Sequence, residues 1–123
     1  MRLAQLAGPS NRAVALQSAA LIPVFTRAIV RPPAPNFAEG LTTAGLGAPK
    51  YELALQQHET YCAALEQCGL TLTMLEANPD YPDSTFVEDV AIVTDSCAIL
   101  TRPGAPSRRG EVDGMRRTLT IFF

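Results

Sequence analysis

The sequence predicts a mixed α/β fold from three observations. Short runs of β-branched and apolar residues surround one long segment of helical periodicity, in the order strand, helix, strand, strand, strand, helix. The 123 residues suit a single domain that buries a core without disulfide bonds. Apolar residues make up 47% of the chain and charged residues 18%, which is typical of a globular protein.

The first strand is predicted at residues 24–31 (VFTRAIVR), which end at consecutive prolines. Residues 32–49 form a loop with three glycines, and a loop of this length is usually functional or mobile. Apolar residues recur at helical spacing from Lys50 onward, and Gly69 is a natural end for this helix.

The second half of the chain predicts three strands and a helix. Alternation in residues 70–75 (LTLTML) predicts a strand, and residues 86–93 and 97–101 predict a hairpin around a short polar turn. A final amphipathic helix is predicted from four apolar residues at helical spacing, Val112, Met115, Leu119 and Phe122.

Two adjacent acids, Glu88 and Asp89, interrupt the apolar residues of the predicted strand at 86–93. Successive strand residues point to opposite faces of a sheet, so we expect at least one of these acids to face an enclosed space. A buried carboxylate requires a cation or hydrogen-bond donors. The strand therefore predicts a cationic partner for one acid.

The strongest candidate site combines three acids with two loop arginines, Asp83, Glu88, Asp89, Arg108 and Arg109. Carboxylates can hold a guanidinium or ammonium group of a ligand, while an arginine holds a ligand carboxylate. The alternative is an internal ion pair between one of the adjacent acids and either Arg102 or Arg108. The residues alone leave both interpretations open.

Composition argues against several other classes of protein. A net charge of -2 gives no electrostatic footprint for nucleic acid, and no apolar run approaches the roughly 18 residues of a membrane span. The three cysteines, Cys62, Cys68 and Cys97, lack paired spacing. They predict a reduced, cytoplasmic protein with buried thiols, without disulfides or a zinc site.

Other reactive or small residues predict structural roles. His58 lies on the long helix without a nucleophile-and-acid arrangement, so we expect a structural histidine. Gly40, Gly45 and Gly47 lack the strand-turn-helix context of a phosphate loop and favour a mobile flap. We expect no metal and no cofactor.

The N-terminal residues 1–22 differ in composition from residues 23–123, which are predicted to form the domain. They contain arginines and no acid, with a short, interrupted apolar stretch. A poorly ordered extension is predicted, and a cleaved targeting peptide is the alternative. The apolar residues 121–123 suggest a missing partner, so the chain is expected to be a piece of something larger.

Four stretches carry a resemblance to a known family, FAEGLTTAGLG, QQHETYCAALEQCGL, FVEDVAIV and TRPGAPSRRGEV. From about residue 24 the chain resembles the N-terminal part of dimethylarginine dimethylaminohydrolase, in the pentein superfamily of guanidine-modifying enzymes. The resemblance implies a partial pentein-type α/β propeller of about one and a half ββαβ modules. It also implies a segment of a hydrolase that converts N-omega-methylated arginines to citrulline and methylamine or dimethylamine.

The resemblance assigns substrate-binding roles to five residues. Asp89 would bind the substrate guanidinium, with Glu88 and Asp83 at neighbouring contacts. Arg108 would bind the substrate α-carboxylate, and Leu41 would lie in the flap that closes over the pocket. A methylarginine guanidinium is a planar cation with forked N–H donors, which enclosed carboxylates match in charge and geometry.

The family's catalytic pair is not expected in this chain. The family uses a cysteine nucleophile and a proton-transferring histidine, both downstream of the region that the chain resembles. We therefore expect no catalytic residue and no activity from the chain alone, a small-molecule ligand, and self-association through uncovered module edges. Two alternatives stay open: a non-catalytic α/β module that binds arginine-like ligands, and a fragment of an arginine deiminase or amidinotransferase relative.

Overall fold

The computed structural model describes residues 25–123. The predicted extension at residues 1–22 lies outside the described residues, as does the first residue of the predicted strand at 24–31.

The first part of the fold is a β-α-β unit. Strand β1 (Arg27–Val30) and strand β2 (Thr71–Met74) pair in parallel, and helix α1 (Tyr51–Gln67) connects them. Gly69 follows the helix with a φ of 88°, a left-handed conformation that glycine adopts without strain. The predicted strands and helix of this half are thereby confirmed, with ends shifted by a few residues.

The second part is a hairpin covered by a helix. Strand β3 (Ala91–Val93) pairs with strand β4 (Ala98–Leu100) in antiparallel fashion, as predicted for this segment. The Thr94 hydroxyl closes the turn by donating to the Cys97 carbonyl at 3.0 Å. Helix α2 (Glu111–Leu119) then returns across the hairpin.

The predicted strand at 86–93 is wrong in its first half. Val87–Val90 form a short 3-10 helix, and strand β3 begins only at Ala91. The turn is closed by backbone bonds, in which Phe86 N–H donates to the Asp83 carbonyl and Asp89 N–H to the Phe86 carbonyl. Turn-forming residues just upstream start this conformation, which overrides the β-propensity of the valines.

This turn also changes the surroundings of the adjacent acids. Glu88 and Asp89 are both exposed, so the expectation that at least one of them faces an enclosed space is wrong. The buried acid of this segment is Asp83 instead, five residues before Glu88 in the turn that precedes the 3-10 helix.

The core lies between helix α2 and the hairpin. Val90, Met115 and Leu119 are buried together, and partly buried residues of β1, β3 and β4 pack around them. Each such side chain contributes about 1.5–3 kcal/mol through apolar burial. The apolar stripe predicted for the last helix is therefore largely covered, whereas Ile121, beyond its end, is 75% exposed.

The cysteines are all free but not all buried. Cys62 is buried in α1, while Cys68 and Cys97 are exposed, so the prediction of buried thiols is wrong for two of the three. Cys68 caps the end of α1 and Cys97 sits in the hairpin turn, where the chain is at the surface.

The mixed α/β class is confirmed. Within residues 25–123 the strands form two separate two-stranded sheets, and neither closes into a barrel or propeller. In this part of the chain, neither α1 nor α2 combines the length and the hydropathy of a transmembrane helix.

Candidate functional site

The candidate site centres on Arg108, which lies at the end of a 3-10 turn (Pro106–Arg108) just before α2. Its guanidinium makes two parallel hydrogen bonds to one carboxylate. Nε donates to Glu111 Oε1 at 2.8 Å and Nη2 donates to Glu111 Oε2 at 2.9 Å. Such bidentate pairs combine charge with a fixed direction, which a single contact does not provide.

The outer edge of the same guanidinium meets two aspartates. Nη1 donates to Asp89 Oδ2 at 2.7 Å, and Nη2 donates to the backbone carbonyl of Asp83 at 3.2 Å. We call these four residues the Arg108 cluster: Arg108, Glu111, Asp89 and Asp83. The internal ion pair between Asp89 and Arg108, one of the two interpretations of the sequence, is present.

The two carboxylates of Arg108 differ sharply in exposure. The Glu111 side chain is only 2% exposed, whereas the Asp89 side chain is 47% exposed. Hydrogen bonding to Glu111 raises the pKa of Arg108, burial opposes this rise, and the bond to Asp89 adds to it. Arg108 is therefore a permanent cation, with one buried partner and one partner that solvent can replace.

Asp83 connects the cluster to the glycine-containing loop. Its Oδ2 accepts a hydrogen bond from the Leu41 N–H at 2.9 Å. A Cβ added at Gly40 would overlap the Asp83 carboxylate, so the loop approaches this closely only because position 40 is glycine. Leu41 itself is 61% exposed, and with Asp83 it lines an open cavity of about 410 Å³.

A close approach also fixes the start of α2. A Cβ added at Gly110 would overlap the Tyr81 hydroxyl, so a larger residue here would push Glu111 away from Arg108. Glu111 is the first residue of the helix, and Met115 and Leu119 anchor the same helix in the core. The position of the carboxylate is thus set by packing as well as by charge.

A second arginine, Arg31, interacts with the charge of Glu111. Arg31 is buried, and its Nε has no hydrogen-bond partner among the described residues. Burial lowers the pKa of Arg31, while the charge of Glu111 opposes that effect. The Arg31 guanidinium reaches within 3.7 Å of the place where a Cβ at Gly114 would be, so α2 covers it. Glu111 therefore interacts with two cations, Arg108 through hydrogen bonds and Arg31 through its charge alone.

Of the five residues that the sequence singles out for substrate, the structure groups three closely. Asp83, Asp89 and Arg108 share the cluster, and Leu41 is tied to it through Asp83. Glu88 lies apart, exposed at the edge of a different opening. Their roles toward a ligand stay predictions.

That opening is a groove between β1 and β3, with a volume of about 740 Å³. We call it the β1–β3 groove. Its walls are mainly apolar, and the Arg27 guanidinium lies over the Phe122 ring at 5.6 Å from its centroid. Apolar lining residues include Phe25, Ile29, Val87, Val93, Leu119 and Phe123.

Sequence reasoning missed Glu111 and Arg31. The available signal was the spacing of Arg108 and Glu111, three residues apart across a turn into a helix, which brings their side chains to the same side. An acid in the first turn of a helix is more often explained by the helix dipole. Arg31 gave no signal, because it is the last residue of an apolar strand followed by prolines.

His58 and Cys62 lie one turn apart on α1, with Cys62 Sγ 3.7 Å from His58 Nδ1. Burial lowers the pKa of His58 and raises the pKa of Cys62, which keeps both groups neutral near pH 7. An activated thiolate needs the opposite shift. No group of three or more potential metal ligands occurs within residues 25–123.

Two sequence relatives of the chain carry the name of one enzyme. No family model matches the chain. The dimethylarginine dimethylaminohydrolase of Pseudomonas aeruginosa is 45% identical over 100 residues, which are 81% of this chain and 39% of the relative. The enzyme of the same name from Streptomyces coelicolor is 40% identical over 94 residues, 76% of this chain and 36% of the relative.

Solved structures agree with the sequence comparison. A crystal structure of a histidine-to-glycine variant of dimethylarginine dimethylaminohydrolase, as an adduct with S-methyl-L-thiocitrulline, matches with a TM-score of 0.80 at 45% identity, over 81% of this chain and 39% of that one. A cysteine-to-serine variant of the Pseudomonas aeruginosa enzyme in complex with citrulline matches with a TM-score of 0.79, over 80% and 39%.

In sequence and in fold, the chain is thus similar to a class of hydrolases. The resemblance to the dimethylarginine dimethylaminohydrolases that the sequence predicted is confirmed. The match covers most of this chain but less than half of the relative, since the chain spans 39% of the length of the Pseudomonas aeruginosa enzyme.

Proposed function

We propose that the chain carries part of the substrate pocket of a hydrolase that converts N-omega-methylated arginines to citrulline and methylamine or dimethylamine. The observation that carries this proposal is 45% identity over 100 residues to a dimethylarginine dimethylaminohydrolase, together with the charged cluster in the matched region. A partial pentein-type propeller and a cytoplasmic location belong to the same proposal.

The Arg108 cluster suggests how such a ligand would bind. In the structure, Asp89 already accepts a hydrogen bond from a guanidinium, that of Arg108. A substrate presents a guanidinium and an α-carboxylate at opposite ends of a chain of several bonds. These two ends cannot both bind an ion pair that stays closed at 2.7 Å.

Binding therefore requires the Asp89–Arg108 pair to open. The substrate guanidinium would replace Arg108 on Asp89, and the substrate α-carboxylate would take the freed Nη1 of Arg108. The exchange replaces one ion pair within the chain by two ion pairs to the ligand, and Asp89 is exposed enough for it to proceed through water. Asp83 and Leu41 would close the pocket from the loop side, and Glu88 would contact the ligand from the groove side.

We infer that the reaction itself needs a cysteine nucleophile and a proton-transferring histidine that lie outside the matched region. The two solved relatives are variants of a histidine and of a cysteine, as expected if these residues act on bound ligand. Here the thiol of Cys62 is kept protonated by burial. We therefore expect no citrulline from the purified chain and dimethylarginine. Citrulline formation that disappears on replacing Cys62, Cys68 or Cys97 would contradict this expectation.

Ligand titration tests the binding proposal directly. We expect dimethylarginine to bind the chain, and Asp89→Asn to weaken binding by about 1–3 kcal/mol, or roughly 5- to 150-fold in Kd. Arg108→Ala should weaken dimethylarginine but spare an alkylguanidine that lacks an α-carboxylate. Glu52→Gln, an equal charge change on the exposed side of α1, is the matched control. Equal effects of Asp89→Asn and Glu52→Gln would refute the pocket.

A non-catalytic module that binds arginine-like ligands is the second candidate. The observation that favours it is that the chain spans 39% of the relative yet holds an intact charged cluster. Mixing the chain with the remaining segment of the Pseudomonas aeruginosa relative separates the two candidates. Citrulline formation by the mixture supports the hydrolase, whereas ligand binding without any turnover supports the module.

A further inference from the structure

Glu111 is a buried carboxylate whose two oxygens both accept hydrogen bonds from one side chain, that of Arg108. Oε1 accepts from Nε of Arg108 and Oε2 accepts from Nη2, at 2.8 and 2.9 Å. Because Nε is attached to the side-chain stem, a carboxylate that holds Nε and Nη2 together fixes the plane of the guanidinium. An interaction with Nη1 or Nη2 alone would leave the group free to swing.

The remaining donors of Arg108 meet the two aspartates of the cluster. Nη2 also donates to the Asp83 carbonyl, and Nη1 has Asp89 as its one acceptor among the described residues. The inner edge of the guanidinium is therefore fully occupied by a buried group. The outer edge carries the replaceable contact, since the Asp89 side chain is 47% exposed.

The helix holds Glu111 in place. It is the first residue of α2, Gly110 before it touches Tyr81, and Met115 lies one turn later in the core. Arg31 supplies a second positive charge that attracts the Glu111 carboxylate. Glu111 is thus better fixed than Arg108, whose own segment is a short turn between two loops.

We propose that Glu111 is a positioning residue, which sets the direction of the Arg108 guanidinium so that its Nη1 edge receives the carboxylate of a ligand. The identity of that ligand rests on the proposed function. Arg108 stays charged with or without Glu111, because a guanidinium does not lose its proton near neutral pH. Loss of Glu111 therefore removes the direction of the cation and leaves its charge.

Arginine side-chain NMR tests the positioning role without any ligand. In the unmodified chain we expect the Arg108 Nε–H to exchange with solvent at least about tenfold more slowly than the Nε–H of Arg116, which is exposed on the same helix. Glu111→Gln, which keeps only one acceptor oxygen, should reduce this protection. Asp113→Asn, an equal charge change at an exposed position of α2, should leave it intact.

Glu111→Asp keeps the charge but shortens the side chain. It provides a second test in case Glu111→Gln does not fold. We expect it to fold and to show intermediate protection, because one methylene less prevents two simultaneous bonds of normal length. Fast exchange of the Arg108 Nε–H in the unmodified chain, or unchanged protection in both Glu111 variants, overturns the inference.

Ligand binding separates this inference from the proposed function. Glu111→Asp should weaken dimethylarginine about tenfold and leave the affinity of an alkylguanidine without α-carboxylate unchanged. If the unmodified chain binds neither ligand, the proposed function fails, and the exchange measurement still decides whether Glu111 orients Arg108. If Glu111→Asp weakens both ligands equally, the proposed function stands and the positioning role is refuted.

Discussion

The Arg108 cluster and the β1–β3 groove differ in one respect: the polar groups of the cluster have partners, whereas the apolar side chains of the groove are partly uncovered. In the cluster, each buried polar group of Glu111 and Arg108 has a partner at 2.7–3.2 Å. In the groove, large apolar side chains such as Phe25 and Phe123 remain about half exposed. The reason is energetic: an unpaired buried charge costs several kcal/mol at one point, whereas exposed apolar surface costs energy in proportion to its area.

This difference indicates which of the two regions is suited to contact other molecules. The polar cluster is complete within the chain, so its geometry does not need a further segment. The groove exposes apolar surface of the kind that marks an interaction site.

The largest effect is expected from removing the buried acid. Glu111→Ala removes the buried carboxylate that pairs with Arg108 and attracts Arg31, which should lower the free energy of unfolding by about 3–5 kcal/mol. Urea denaturation followed by circular dichroism measures this change. Asp113→Asn on the same helix should change stability by less than about 0.5 kcal/mol. A Glu111→Ala variant as stable as Asp113→Asn would mean that the cluster does not stabilise the fold.

The next effect separates the core from the exposed residues just beyond the end of α2. Leu119→Ala removes a buried side chain of the core and should cost about 2–4 kcal/mol, through lost burial and the cavity left behind. Ile121 lies two residues further along the chain and is 75% exposed. Ile121→Ala should therefore cost less than about 0.5 kcal/mol. Thermal melts of the two variants give the comparison, and equal costs would place the core elsewhere.

A third prediction concerns the groove as a contact surface. We expect the chain to self-associate in a concentration-dependent way, because apolar groove residues and strand edges are uncovered. Val93→Thr combined with Phe123→Ser should weaken association about tenfold or more, measured by sedimentation velocity. Leu46→Ser, which is more exposed but lies outside the groove, is the control. Association that responds only to the control would exclude the groove.

His58 is a partly buried titratable group, and its effect is expected to be smaller. Burial lowers the pKa of His58 from 6.5, against a weaker opposing effect of a hydrogen bond to the Arg31 backbone. Below about pH 6.5 the unfolded chain therefore binds a proton that the folded chain resists, so stability falls as pH falls. Between about pH 7 and 5.5, melting temperature should drop less in His58→Gln. Identical slopes would show that another group titrates.

The sequence predicted the order and type of most elements because their signals are local. Helix α1 has a long apolar period and a glycine stop, and the β3–β4 hairpin has a polar turn between apolar runs. The 3-10 helix at Val87–Val90 was missed because its residues have high β-propensity, and only the turn before it forces another conformation. The exposure of Cys68 and Cys97 depends on tertiary position, which no local pattern records.

The candidate site was predictable only in part, for a similar reason. Asp89 and Arg108 stood out because charged residues interrupt an apolar run or a loop, and the structure brings them into contact. Glu111 did not stand out, since an acid at a helix start is common and its burial arises from the close packing of Gly110 against Tyr81. That contact joins segments far apart in the chain.

The smallest effect is expected at the exposed partner of Arg108. Asp89→Asn removes one charge but keeps the shape, and its side chain is half exposed, so solvent screens most of the interaction. Arg108 keeps its bidentate bond to Glu111, and no buried charge is left unpaired. The free energy of unfolding should fall by about 0–1 kcal/mol, with the difference shrinking further in 1 M salt. Urea denaturation at low and high salt measures this cost. A loss above about 3 kcal/mol, insensitive to salt, would show that Asp89 is a structural partner as important as Glu111, and it would argue against an ion pair that opens for a ligand.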